Sequence, residues 1–442
     1  MRGSLTCLVV EILLTLALGS NMELKAAASI QLRGAASAEE QVAADAACWI
    51  LAVSNQGPEQ DTLWTGAGFA SRRPAQRKQF LVESGGGNAA SAATGKAAVD
   101  AALQWIADHQ LPDGGWCFDH RIGPIVNGRL RTSDRPGTKI EARRAATAMA
   151  VLPFLRAGHT NKEGEYKDTV QGGLDYLRTN IKPDGGLNEP GGSLYSHGLA
   201  SIALCEAYGL THDPGLMKSA QASLDFIAYA QDPVGGGWRY QPRQPGDASV
   251  LGWQVMALQS GERAQLKVNP LTLRGASKFL DAVQFEGGAF YGYTGPGKGL
   301  STTASGLLCR MYLGWEKDHE ALQRGVEWIS SRGPSLGPSA DMYFNYYATQ
   351  VCRQFGGEVW EKWNSKMRDF LIDRQAQDGP ARGSWYFRGG HGADAGGRLY
   401  NTSLAALVLV AQDRHPQAGV FDPGAIVAGI SRSDHFASRD MD

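Results

Sequence analysis

Gln110-Leu111-Pro112-Asp113-Gly114-Gly115-Trp116 closes one amphipathic stretch and opens a more apolar one. Its proline ends a helix, its glycines can take positive φ, and its tryptophan can cover the helix end with a large apolar surface. The same design returns at Lys182-Pro183-Asp184-Gly185-Gly186-Leu187 and at Gln231-Asp232-Pro233, which runs into Gly235-Gly236-Gly237-Trp238. Further glycine turns centre on Gly287-Gly288, Gly337 and Gly383. Gly185, Gly236 and Gly287 are each 51 residues apart, a period suited to a repeated helical hairpin. Trp116 and Trp238 therefore read as structural staples. The turns are not phosphate loops, because neither the GxGxxG spacing after a strand nor the lysine-hydroxyl pair of a P-loop accompanies them.

Around these turns two kinds of helix alternate. In 215–231, Met217, Ala220, Leu224, Ile227 and Ala228 form one apolar stripe, while Lys218, Gln221 and Asp225 lie off it. Its partner, running from Val250 to Leu258, has little polarity on any side and belongs inside the protein. The alternation predicts outer helices near 97–110, 166–180, 215–231, 270–284, 318–331 and 359–375. Inner helices follow near 140–156, 195–209, 247–260, 301–314, 341–355 and 399–411. Six hairpins make an all-α (α/α)6 ring over 97–412, with an open solenoid as the structural alternative. A short helix and irregular linker are expected over 39–96, and a tail over 413–442.

Composition narrows the function classes. Forty-three Lys and Arg against 44 Asp and Glu give a formal charge of −1, so no global field favours nucleic acid. Cys205, Cys309 and Cys352 fall in apolar helical segments and read as buried thiols; no CxxC pair suggests metal or disulfide chemistry. Residues 1–38 carry an apolar stretch interrupted by Glu11. An export signal, a retained membrane anchor and neither of these are its three readings.

The segments 110–116 and 231–238, the inner-helix start Asp247-Ala248-Ser249-Val250-Leu251-Gly252-Trp253, and the stretches 301–315 and 396–409 resemble the repeats of squalene and oxidosqualene cyclases and of protein prenyltransferase β-subunits. The resemblance implies an α/α toroid around a central cavity for isoprenoid chains or prenyl-protein substrates. It also implies two catalytic patterns, from both of which this chain departs. The cyclases of that family protonate an alkene or epoxide with the middle aspartate of a DxDD motif. Here Asp247 matches the first position, but Ser249 stands where the acid belongs and Val250 where the next aspartate belongs. The prenyltransferases use an Asp/Cys/His zinc site. Asp341 resembles their aspartate, yet Tyr343 occupies the cysteine position and His391 matches the late histidine only loosely. No metal and no cofactor are expected.

The remaining polar residues gather at inner-helix starts, which a ring would bring to one mouth. The catalytic candidates are Asp247, Asp341, His197, His391 and Tyr195, with Glu141, Tyr343, Asn345, Tyr400 and Asn401 beside them. Each has a structural alternative: Asp247 and Asp341 as helix caps, His197 as a packed core imidazole, the tyrosines as ring wall. The leading expectation is a cavity protein that binds an extended apolar, isoprenoid-like ligand or a partner protein segment without ordinary family catalysis. The alternative is a terpenoid cyclase-like or polysaccharide lyase-like enzyme that uses the mouth carboxylates, histidines and tyrosines.

Overall fold

The computed structural model describes residues 89–411 apart from 123–124, 127–128 and 131–133, so the expectations for 1–38, for a helix near 39–53 and for 413–442 lie outside the described residues. Twelve helices appear among these residues. Six are outer: α1 (Ala89–Asp108), α3 (Lys167–Thr179), α5 (Pro214–Ala230), α7 (Pro270–Val283), α9 (Glu320–Arg332) and α11 (Gly357–Arg374). Six are inner: α2 (Arg143–Arg156), α4 (Ser193–Thr211), α6 (Ala248–Arg263), α8 (Leu300–Tyr312), α10 (Met342–Phe355) and α12 (Ala393–Val410). Two short antiparallel pairs, β1 (Ile125–Val126) with β2 (Arg129–Leu130) and β3 (Gln284–Phe285) with β4 (Phe290–Tyr291), trim two of the connections.

The burial pattern explains the layering. In α7 only Thr272, Ala276, Phe279, Leu280 and Val283 are buried, one stripe facing inward. In α6 every residue from Ala248 to Gly261 is buried, as expected for a helix wrapped on all sides. Starts are set by local chemistry: Asp213 and Asn269 accept from Gly215 N and Leu271 N, each followed by proline at the first helical position. Two boundaries differ from the periodicity. α1 begins at Ala89, inside the expected linker, because the Ala-rich run before Lys96 continues the helix. α12 begins at Ala393 and breaks at Gly397 (φ 58°, ψ −145°).

The inner helices pack in the order α2, α4, α6, α8, α10, α12 and back to α2. The last hairpin also grips the first. Gln375 Nε2 donates to Ala98 O (2.7 Å) and Gly383 O (2.8 Å), Trp105 Nε1 donates to Pro380 O (3.1 Å), and Arg398 pairs with Asp134. The ring is closed, and the open solenoid is excluded.

One staple recurs around it. The indole N–H of Trp116 donates to Ile106 O (2.8 Å), that of Trp238 to Ile227 O (2.8 Å) and that of Trp385 to Leu371 O (2.7 Å), each meeting a carbonyl in the last turn of an outer helix. A glutamine accompanies each indole: Gln110 and Gln231 bind their own turn and the next outer helix, as Gln375 does across the closure. All three tryptophans are fully buried.

Replacing Trp116, Trp238 or Trp385 by alanine should cost about 3–5 kcal/mol, read as a lowered chemical-unfolding midpoint. The phenylalanine variants, which keep most of the surface and lose the hydrogen bond, should cost less. Unchanged midpoints with unchanged slopes in the alanine variants would refute the staple assignment.

Candidate functional site

Asp247 is the N-cap of α6 and the centre of the mouth. Its Oδ1 accepts from Ser249 N (2.9 Å), Val250 N (2.9 Å) and Ser249 Oγ (2.7 Å); its Oδ2 accepts from Tyr293 OH (3.1 Å) and faces Arg239 Nε at 3.6 Å. The side chain has no exposed surface. The carboxylate is held in place by its helix N-terminus and two hydroxyls.

From Ser249 the network leads across the ring. Ser249 Oγ lies 2.6 Å from Tyr195 OH, and Tyr195 OH lies 3.3 Å from His391 Nε2. Tyr343 OH donates to Ser249 O (3.0 Å), its ring meets His391 edge-on at 5.0 Å, and Tyr400 OH donates to His391 O (2.8 Å). Tyr195 is on α4, Ser249 on α6, Tyr343 on α10 and His391 just before α12, so these contacts span the ring opening. Two further phenols complete the rim: Tyr240 OH lies 2.7 Å from Tyr293 OH, and each side chain is 40% exposed. Burial raises the pKa of Tyr195, Tyr293, Tyr343 and Tyr400 well above the ordinary phenol value, and the Asp247 carboxylate adds to the effect on the first three. The phenols therefore stay protonated.

Below the mouth the lumen is filled. Trp253 on α6 stacks on Tyr346 of α10 (5.6 Å, 17°) and meets Tyr347 edge-on (5.3 Å). Because α8 stands between α6 and α10, these contacts cross the interior. Trp253, Tyr346 and Tyr347 are 3%, 1% and 0% exposed, so no open channel runs at this level. At the far pole Arg156 pairs with Glu206 (2.8 Å) and donates to Tyr346 OH (3.3 Å). A separate groove of about 740 Å3 lies on the outer surface between α9 and α11, lined by Glu327, Pro334, Glu358, Lys362 and Trp363 among others.

The structure thus brings Asp247, Tyr195 and His391 together. Asp341 stands at the edge of this group as the cap of α10, accepting from Phe344 N (3.1 Å) with Ser301 Oγ at 3.5 Å. His197 is elsewhere, fully buried between the two layers. Its Nδ1 accepts from Leu187 N (2.9 Å) and its Nε2 faces Ser223 O (3.1 Å). Thr147, Thr303 and Thr402 do the same for Trp116 N, Tyr291 N and Trp385 N. His197 is one repeat's version of that strut, not a mouth residue. Among the described residues no three His, Cys, Asp or Glu side chains gather as a metal site. Cys205, Cys309 and Cys352 are buried free thiols, and burial raises their pKa, to about 12 for the last two.

Sequence reading passed over Ser249, Arg239, Tyr240 and Tyr293. Repeat register would have found the tyrosines: two residues beyond the staple positions 116, 187, 238, 291 and 385 stand Phe118, Glu189, Tyr240, Tyr293 and Phe387. Glu189 caps α2 from there, accepting from Arg144 N and Ala145 N (3.0 Å each).

No family model matches the chain, and no curated protein matches it. Solved structures do. The cellobiose 2-epimerase from Spirochaeta thermophila is 12% identical with a TM-score of 0.54, over 73% of this chain and 96% of that one. The unsaturated glucuronyl hydrolase from Bacillus sp. GL1, responsible for glycosaminoglycan degradation, is 11% identical at 0.53, over 74% and 98%. An inactive variant of the alpha-1,6-mannanase GH76A of Salegentibacter sp. HEL1_6, in complex with alpha-1,6-mannotriose, is 11% identical at 0.52, over 72% and 98%. At such identities the likeness establishes the fold. The chain has the (α/α)6 toroid; of the resemblance to cyclases and prenyltransferases, the ring is what stands.

Two outcomes check the assignments. Asp247→Asn keeps one acceptor oxygen for the two backbone N–H groups and should retain most of the cap, whereas Asp247→Ala should lose about 0.5–2 kcal/mol for the cap, with a further loss from the stranded hydroxyls, in chemical unfolding. Burial lowers His197 from its ordinary value near 6.5 to about 3. The unfolded chain therefore binds the extra proton between these values, and stability present above pH 6.5 falls towards pH 3. Its share approaches about 1.4 kcal/mol per pH unit. His197→Asn should flatten that slope relative to wild type.

Proposed function

We propose that the chain is a carbohydrate-active toroid that binds a saccharide at the mouth and exchanges a proton with it through His391, beside the Tyr195 phenol. The observation that carries this reading is the convergence, across one ring opening, of an exposed imidazole, a half-buried phenol 3.3 Å from it and an exposed tyrosine pair. Phenol rings offer apolar faces to pyranose C–H groups and hydroxyls to their oxygens. The sugar-related names of the structures with the same fold add a reason to test saccharides first.

The chemistry favoured is proton abstraction from a sugar carbon next to a carboxylate or carbonyl. The C–H bond breaks, the proton goes to His391 and the electron pair moves into the adjacent carbonyl group. In elimination the pair returns to form a C=C bond as the β C–O bond breaks and its oxygen takes the proton from the imidazolium; in epimerisation a proton from water returns to the same carbon on the opposite face. Hydrolysis is less well served, because it needs two carboxylates facing the scissile bond. Asp247 is saturated and unexposed, and Asp341 is occupied as a cap. The extended apolar guest is also less well served, since Trp253, Tyr346 and Tyr347 occupy the lumen it would need.

The test is a panel of neutral and uronate-containing polysaccharides with squalene and prenyl diphosphates as the apolar arm, scored by calorimetric binding and product analysis. Wild type should bind and convert a saccharide. His391→Gln should lower kcat about 100- to 10,000-fold. Tyr240→Ala should weaken binding about tenfold. Conversion or binding confined to the apolar arm would overturn the proposal.

A further inference from the structure

Five hydrogen bonds run in series through the mouth: Tyr240 OH to Tyr293 OH (2.7 Å), Tyr293 OH to Asp247 Oδ2 (3.1 Å), Asp247 Oδ1 to Ser249 Oγ (2.7 Å), Ser249 Oγ to Tyr195 OH (2.6 Å) and Tyr195 OH to His391 Nε2 (3.3 Å). Each hydroxyl has a single proton to give, so the direction of one bond fixes the next. Oδ1 already accepts two backbone N–H groups and can only accept again from Ser249. That commits the one Ser249 proton. At 2.6 Å from Tyr195, Ser249 Oγ must then accept, which commits the Tyr195 proton in turn. What Tyr195 can offer His391 is a lone pair.

We infer that Asp247 is a positioning residue: acting through Ser249 and Tyr195, it sets the direction of the whole chain and holds His391 as the tautomer protonated at Nε2, with Nδ1 as the imidazole's base. On the other arm Tyr293 donates to Oδ2 and accepts from Tyr240, so both arms point at the same carboxylate. The groups around the imidazole agree with this polarity. Tyr343 spends its proton on Ser249 O and Tyr400 spends its proton on His391 O, so neither competes for the ring nitrogens. Ser249, at the position where the resembled cyclases carry their acid, is the joint of the relay. The functional consequence, that a saccharide proton is taken at Nδ1 rather than at the phenol, rests on the proposed function. The tautomer does not.

The experiment is imidazole 1H–15N correlation NMR on the full-length, 15N-labelled chain, at a pH where His391 is neutral, with its signals assigned by their loss in His391→Gln. Wild type should show Nε2 protonated and Nδ1 unprotonated. Ser249→Ala keeps the Asp247 cap but frees the Tyr195 proton for Nε2, so the tautomer should invert to Nδ1–H. Ser249→Thr restores the hydroxyl and should restore Nε2–H. A wild-type Nδ1–H tautomer, or a folded Ser249→Ala variant with an unchanged tautomer, would overturn the inference. If the tautomer pattern holds while no saccharide is bound or converted, the inference stands and the proposed function fails. If a saccharide is converted with the tautomers reversed, the proposed function stands and the inference fails.

Discussion

Four of the ring's glycine turns press a glycine against the backbone of the next outer helix, at a distance that admits no side chain. A β-carbon on Gly114 would lie 2.4 Å from Gly172 O; on Gly185, 2.3 Å from Ala222 O; on Gly236, 2.1 Å from Gly275 O; on Gly383, 2.3 Å from Ala101 O. All four glycines have φ between 79° and 86°, where other residues are strained. The close approach decides how each hairpin leans on the next. The last of the four contacts joins the final turn to the first helix, so the interaction that propagates the ring also closes it. Indole and glutamine then donate to carbonyls of these helix ends and turns.

Repetition of this contact delivers the inner-helix starts to one end, and function can arise there without disturbing the scaffold. In three repeats the residue two past the staple serves that end. In one repeat Glu189 serves a neighbouring helix; in the next two, Tyr240 and Tyr293 reach the carboxylate or its partner. A repeated fold thus supplies equivalent positions, and the site is made by letting a few of them diverge.

This division explains what could be read from the chain. Helices, turns and their order were legible because burial and turn chemistry are local and recur: Gly-Gly-Trp means the same thing at 114–116 and 235–238. His197 was misplaced because an imidazole at an inner-helix start looks like a functional group, and only alignment of its position with Thr147, Thr303 and Thr402 reveals a strut. Ser249 looked like a lost acid because a motif scores residue types. Its role depends on Tyr195, 54 positions away, and on His391, 196 positions from Tyr195, distances over which only the closed ring gives information. The filled lumen was hidden for the same reason, since Trp253 and Tyr346 meet inside the ring past an intervening helix.

Asp247 joins the two levels. Burying a carboxylate with no exposed surface is costly unless its lone pairs are filled, and here a helix N-terminus and two hydroxyls fill them, with the Arg239 guanidinium 3.6 Å away. The compensation is itself directional. Donors cannot turn away from the carboxylate without stranding it, so the hydroxyl protons of Ser249 and Tyr293 are oriented before any ligand arrives. The Ser249 hydroxyl donates to Asp247 and lies 2.6 Å from Tyr195, so the group that completes the cap is also the joint through which the cap reaches Tyr195 and His391. A single hydroxyl beside a helix cap thereby ties the mouth to the scaffold.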